Sequence, residues 1–213
     1  MQKQEIRSLI KNLLPRLDKS NKYHPKVIDS AIEKVLGEIY TEVFKRNSME
    51  LQRYCKPYGY TTALTVNLEP ATGLYYTTLP AAIYPFPDKS SGVRRVSTIV
   101  QGGLTFFPID QREHDLILSG SNVDAVTSKI GYTVTSTRVE FYNMSGTVLA
   151  AGVRMDCIVP FSVYSDTDTV LIPEEKDDQG RTFIDRVLAI LGIVRPIDAL
   201  DNNADVQPTN NSQ

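Results

Sequence analysis

Apolar residues recur along this chain with two different periods, and the change of period divides it. Ile6, Leu9, Ile10, Leu13 and Leu14 fall at i, i+3, i+4, i+7 and i+8. That spacing predicts a helix from Gln2 to Leu14, ended by Pro15. Residues 16–24 are polar and read as a loop, and Pro25 suits the first turn of a second helix. There the apolar pairs Val27-Ile28, Ala31-Ile32, Val35-Leu36, Ile39-Tyr40 and Val43-Phe44 repeat every four residues. A helix turns once per ~3.6 residues, so this stripe drifts by about 40° per repeat and its two ends must meet different neighbours. A lone helix of this kind is not stable in water. The stripe therefore needs cover from the β region, the first helix or another subunit. Gly37 sits in mid-helix, either as a close backbone approach or as a tolerated weak spot. A short helical turn is expected over Ser48–Tyr54.

From Tyr58 the period falls to two. Thr61–Leu68 and Leu74–Leu79 read as strands around the turn Glu69–Gly73. The proline-rich stretch Leu79–Pro87 lacks ladder donors and is expected to be a covering or edge loop. Val93–Gln101 and Leu104–Phe107 flank Gly102-Gly103, a hairpin signal. Residues 109–128 are ambiguous. Tyr132–Ser136, Arg138–Tyr142 and Thr147–Phe161 are further strand candidates, with a turn at Asn143–Gly146. Pro173 closes the β region, a helix is expected from Thr182 to Leu191, and the polar residues 201–213 offer nothing to pack.

The division is therefore an α+β chain: helices over 1–56, an antiparallel sandwich-like or barrel-like β region over 57–172, a C-terminal helix within 173–200 that packs back on the helical region, and an extended polar tail over 201–213. Charge follows the same division. Residues 1–56 hold 12 Lys and Arg against 7 Asp and Glu, whereas residues 57–213 hold 11 against 18. The chain is polarised, although its net charge is only −2. The first residues lack the apolar run of a signal peptide, and no stretch is long and apolar enough to span a bilayer. The expectation is a soluble protein made in a reducing cytoplasm.

Candidate chemistry is sparse. His24 precedes Pro25 and His114 lies in a polar turn, and neither has a second ligand at metal spacing. No serine stands in a G-x-S-x-G elbow. Cys157 alternates with Met155 and Val153, as a small core residue would, and either cysteine would need an electropositive, partly open setting to act as a nucleophile. Asp166-Thr-Asp168 and Glu174-Glu175 resemble part of a calcium loop but lack its glycine, so a polar turn is the simpler reading. Arg94 and Arg95 alternate on a strand, so both cannot line one groove; a solvated edge or a salt bridge between subunits accounts for them. Tyrosine is abundant, 11 residues against 7 Phe and no Trp, and Tyr75 and Tyr84 flank the proline-rich stretch, as suits an interface. No catalytic residue, metal ligand or cofactor is expected, and no enzyme.

The layout resembles the head-to-tail connector proteins (adaptor or tail-ring proteins) of short-tailed, crAss-like bacteriophages. The resemblance rests on Ala31–Tyr40, the step Tyr75–Pro80 into a loop, the Gly102-Gly103 hairpin, and Leu171–Glu175 before a helix over Arg181–Leu191. It implies a virion structural protein of the neck or tail, assembled in the host cytoplasm, whose copies form a ring, often a dodecamer, between portal and tail proteins around the DNA channel. It carries over no catalytic residues. The corresponding expectation places subunit contacts at Val27, Ala31, Val35, Gly37, Ile39, Val43, Phe44, Tyr75, Tyr84, Arg94 and Arg95, with an acidic 57–213 region facing passing DNA without gripping it. A nucleic-acid- or ligand-binding regulatory β protein with a helical arm is the alternative.

Overall fold

The computed structural model describes residues 1–17, 23–99, 104–110, 113, 131–142, 150–173 and 182–193, with the side chains of the first helix described through Leu14. The expected glycine turn at 102–103, the turn at 143–146, His114, Glu174-Glu175, most of the ambiguous 109–128 stretch and the tail 201–213 lie outside these residues.

The fold is α+β. Helix α1 spans Lys3–Leu17. It runs past Pro15, which stands in its last turn, where the missing amide removes one helical bond and the helix closes two residues later. Helix α2 spans Pro25–Asn47. His24 caps it: in an extended backbone, its Nδ1 accepts from the Lys26 amide at 3.3 Å, while Pro25 fills the first turn. A 3₁₀ turn over Glu50–Tyr54 leads into the strands.

Two sheets follow. The inner one has the order β1-β8-β4, formed by β1 (Lys56–Tyr58), β4 (Val93–Thr98) and β8 (Val153–Cys157). The outer one has the order β2-β3-β7-β6-β5, formed by β2 (Asn67–Leu68), β3 (Tyr75–Thr78), β5 (Phe107–Pro108), β6 (Gly131–Val134) and β7 (Arg138–Tyr142). Pairing is antiparallel, as expected, except that β5 runs parallel to β6. A parallel partner needs a long crossover, and residues 109–130 supply that length.

Residues 61–68 do not form one strand. Leu64 exchanges both backbone hydrogen bonds with Val153 of the inner sheet, at 2.9 and 3.0 Å, whereas Asn67 and Leu68 pair with β3 of the outer sheet. The segment passes from one sheet to the other and cannot stay in a single ladder. The sheets are joined again where the Tyr132 hydroxyl of β6 donates to the Val93 carbonyl of β4 at 3.3 Å. The described return from the hairpin is a bridge at Ser97 and Thr105, with Phe106 donating to the Val96 carbonyl.

Helix α3 spans Phe183–Ile190, and its first turn is closed by a capping box between Thr182 and Asp185. It lies on α2, where Arg186 reaches Glu42 at 2.9 Å and Glu38 at 3.3 Å. The start of the chain, through the first residue of α1, is fastened to the far end of the described β region: Gln2 bridges Thr169, the Lys3 amide donates to the Asp168 carbonyl, and the buried Lys3 ammonium donates to the Tyr164 carbonyl at 2.6 Å.

One core runs through both parts of the molecule. Ile28, Ala31, Ile32, Val35, Leu36, Ile39, Tyr40 and Val43 of α2 are all buried in it. The expected drift of the stripe is therefore accommodated within a single chain. Near its start α2 meets α1, with Arg7 Nε donating to Asp29 at 2.7 Å. Near its end Tyr40 lies against Tyr84 and Tyr54, and Phe44 stacks on Phe86 with ring centroids 5.2 Å apart.

Candidate interaction surface

Most of the positions expected to touch another subunit are occupied within the chain itself. Ala31, Val35, Ile39 and Val43 are at most 3% exposed, so they cannot carry a contact between copies. The reason is the wrap of the stripe: α1, α3 and the loop around Tyr84 and Phe86 close round α2 from several sides. Phe44 is partly covered by Phe86. A methyl group at Gly37 would stand 3.4 Å from the Tyr84 ring, an ordinary contact, so the packing there does not demand a glycine. Tyr84 is held in place by donating to the Glu33 carbonyl at 3.0 Å.

Arg94 is likewise withdrawn, and a bulge explains why. The register shifts between Val93 and Arg95, so Arg94 is the extra residue of β4 and escapes strict alternation. Its side chain is 7% exposed, lies over the Phe86 ring at 4.8 Å, and donates to Asp88 at 2.6 Å and Ser90 at 3.2 Å. It is neither a solvated edge nor a bridge to another subunit. Its Nε and Nη2, and Asp88 Oδ1, are buried with no hydrogen-bond partner among the described residues. Of the expected contacts, Val27 is 49% exposed, and Tyr75 and Arg95 are half-buried.

The titratable candidates are engaged in structure. Burial pushes the Cys157 thiol up to about 12 and the Cys55 thiol further still, so both stay protonated at neutral pH and are poor nucleophiles. His24 is the cap of α2. The Asp166–Asp168 turn meets cations of its own chain: Lys56 donates to Asp168 at 2.6 Å and Arg7 to Asp166 at 2.5 Å. The hydrogen bond from Lys56 is the main reason the Asp168 carboxyl is held below the usual range. Among the described residues no group of three or more His, Cys, Asp and Glu could hold a metal ion, and no helix is long and apolar enough to cross a membrane.

Large apolar side chains are exposed in two groups. On or beside the helices these are Met1, Leu9, Val27, Met49 and Ile190; on the β region they are Tyr60, Leu68, Ile99, Leu104, Phe107 and Leu171. In the second group, Thr98 donates to the Leu104 carbonyl, which sets Leu104 opposite Thr98 and leaves Ile99, one residue on, facing the other side of the strand. In the first, Val27 and Ile190 share a groove of about 420 Å³ between α2 and the end of α3, lined also by Tyr23, Lys26, Ser30, Ala31, Lys34 and Leu191. Sequence reasoning picked out Val27 but missed the groove, because its two walls are more than 150 residues apart in the chain.

No known protein family, curated protein or solved structure matches this chain.

Proposed function

We propose that this chain is a virion structural protein, a ring-forming head-to-tail connector subunit that links portal to tail around the DNA channel. The observation that carries the reading is the pair of separate exposed apolar groups. A ring is closed by heterologous contacts, in which one surface of a subunit meets a different surface of the next. Val27 and Ile190 on the helices, and Ile99, Leu104 and Phe107 on the β region, are exposed on two unlike parts of the subunit. The buried face of α2 takes no part: it is the internal spine of each subunit. The sequence resemblance to connector proteins supports the same reading. So does the acidic balance of residues 57–213, since like-charged walls do not hold DNA by counterion release.

Mass photometry and electron microscopy of the purified protein, alone and with a portal protein, test this. A closed ring is expected, and Leu104→Asp with Phe107→Asp is expected to return it to monomers of unchanged fold. A monomer under all these conditions overturns the reading. DNA binding with a steep salt dependence would favour a regulatory nucleic-acid-binding protein instead.

A further inference from the structure

We infer that the groove between α2 and the end of α3 receives Phe107 of a second copy of this chain, and that the carboxylates following Phe107 meet the lysines on the groove's rim. Given the ring reading, on which this rests, these are the two unlike surfaces that close the ring. The groove has an apolar floor, with Val27 and Ile190 open to solvent and Ala31 and Leu191 beneath. Its wall is fixed where the Tyr23 hydroxyl donates to the Leu191 carbonyl at 2.9 Å. Lys26 and Lys34 stand exposed on its rim.

The neighbouring carboxylates do not neutralise those lysines. Asp29 is held by Arg7, Glu38 by Arg186, and Glu33 accepts from the Ser162 amide. Among the described residues neither lysine has an ion-pair partner. The groove therefore suits an apolar side chain with carboxylates beside it.

Strand β5 presents that combination. Phe107 is 54% exposed on the edge strand of the outer sheet. Asp110 and Glu113 follow it, and both reach the Lys89 ammonium, at 3.3 and 2.8 Å, so the two carboxylates stand on one side. Each also accepts from the other's backbone amide, which fixes them further. Residues 107–115 carry Asp110, Glu113 and Asp115 against Arg112, so the balance stays negative even with Lys89 counted. Leu104 offers no such match. Arg154 donates to Ser97, which bridges Thr105 next to Leu104, and would set a positive charge against the lysines.

The two surfaces are different, so their contact is heterologous and repeats from copy to copy. The seated ring supplies the buried apolar area. The opposite charges set its register and exclude a groove-to-groove pairing, in which lysines would face lysines.

Cross-linking of the assembled protein tests the placement. Ser30→Cys in the groove and Pro108→Cys beside Phe107 are both exposed and leave the proposed contact intact. In one chain, with a short bis-maleimide, they are expected to give a ladder of trimers and higher multiples on a denaturing gel; either single variant should give dimers at most. Lys26→Glu with Lys34→Glu should raise the protein concentration for half-assembly about tenfold. Asp110→Asn with Glu113→Gln, which keeps both amide acceptors, should raise it about three- to tenfold. Both effects should shrink at high salt, and thermal melts check that each variant is folded. A wild-type ring whose double-cysteine variant gives no ladder, or whose assembly ignores both charge changes, overturns this placement and leaves the ring itself standing. A wild-type chain that never assembles overturns both.

Discussion

The two sheets differ in what covers them. In the inner sheet, Val93 and Val96 of β4 and Val153, Met155 and Cys157 of β8 are at most 1% exposed, and both strands lie against the core beneath α2. In the outer sheet, both residues of β2 and both residues of β5 are exposed, although Tyr132, Val139 and Phe141 between them are buried. Stability is concentrated in the inner sheet, while the outer sheet holds short, open edges. Native proteins keep such edges short to limit unwanted pairing; a subunit that assembles can use them.

The sharpest challenge to this contrast is a pair of truncations. Met155→Ala in the inner sheet should cost about 2–5 kcal/mol in urea unfolding, and Leu68→Ala in the outer sheet within about 0.5 kcal/mol. Comparable losses would abolish the distinction. Next in size is Asp88→Ala. It strands the Arg94 guanidinium under the β4 bulge and should cost about 3 kcal/mol, because an uncompensated buried charge remains. Replacing Arg94 by Met in the same variant should recover part of the loss, which a chemical-denaturation cycle would read.

The outer sheet has one tight spot of its own. A methyl group at Gly131 would fall 1.5 Å from Ile109 Cδ1, so Gly131→Ala should destabilise by about 1–3 kcal/mol. Ile109→Ala should relieve that strain, and strictly additive effects in the double variant would refute the contact. The smallest effect concerns pH. The hydrogen bond from Lys56 depresses the Asp168 carboxyl in the folded state. Its contribution is present above the unfolded value of about 3.9 and disappears as pH falls through the lower folded value. Asp168→Asn should therefore lower Tm near neutrality and flatten its decline below about pH 4, as scanning calorimetry would show.

Much of this architecture was legible in the sequence, where local rules governed the outcome. The four-residue repeat marked α2, Pro25 marked its start, and the helix expected from Thr182 to Leu191 lies on α3. Period-two runs located β3, β4, β6 and β7 closely. Three features escaped for a common reason, since each depends on residues distant in sequence. Residues 61–68 divide between two sheets because Val153 and Tyr76 compete for adjacent parts of one segment. Arg94 turns inward because of a bulge against β8. The expectation that Ala31, Val35, Ile39 and Val43 face another subunit failed because periodicity reports how much surface is apolar, not which chain covers it. Arg186 carried a faint signal: it stands three residues after the buried Phe183, on the covered face of α3, where Glu38 and Glu42 can reach it.

The attachment of the first residues to the Asp166–Val170 segment has a consequence for biosynthesis. During translation α1 emerges early, yet its partners around Tyr164 and Thr169 are made about 160 residues later. Until then Ile6 and Ile10 have no complete pocket to enter. A ribosome-bound chain halted before Phe161 therefore holds α1 without its partners, and the molecule can close only once the segment through Val170 has emerged.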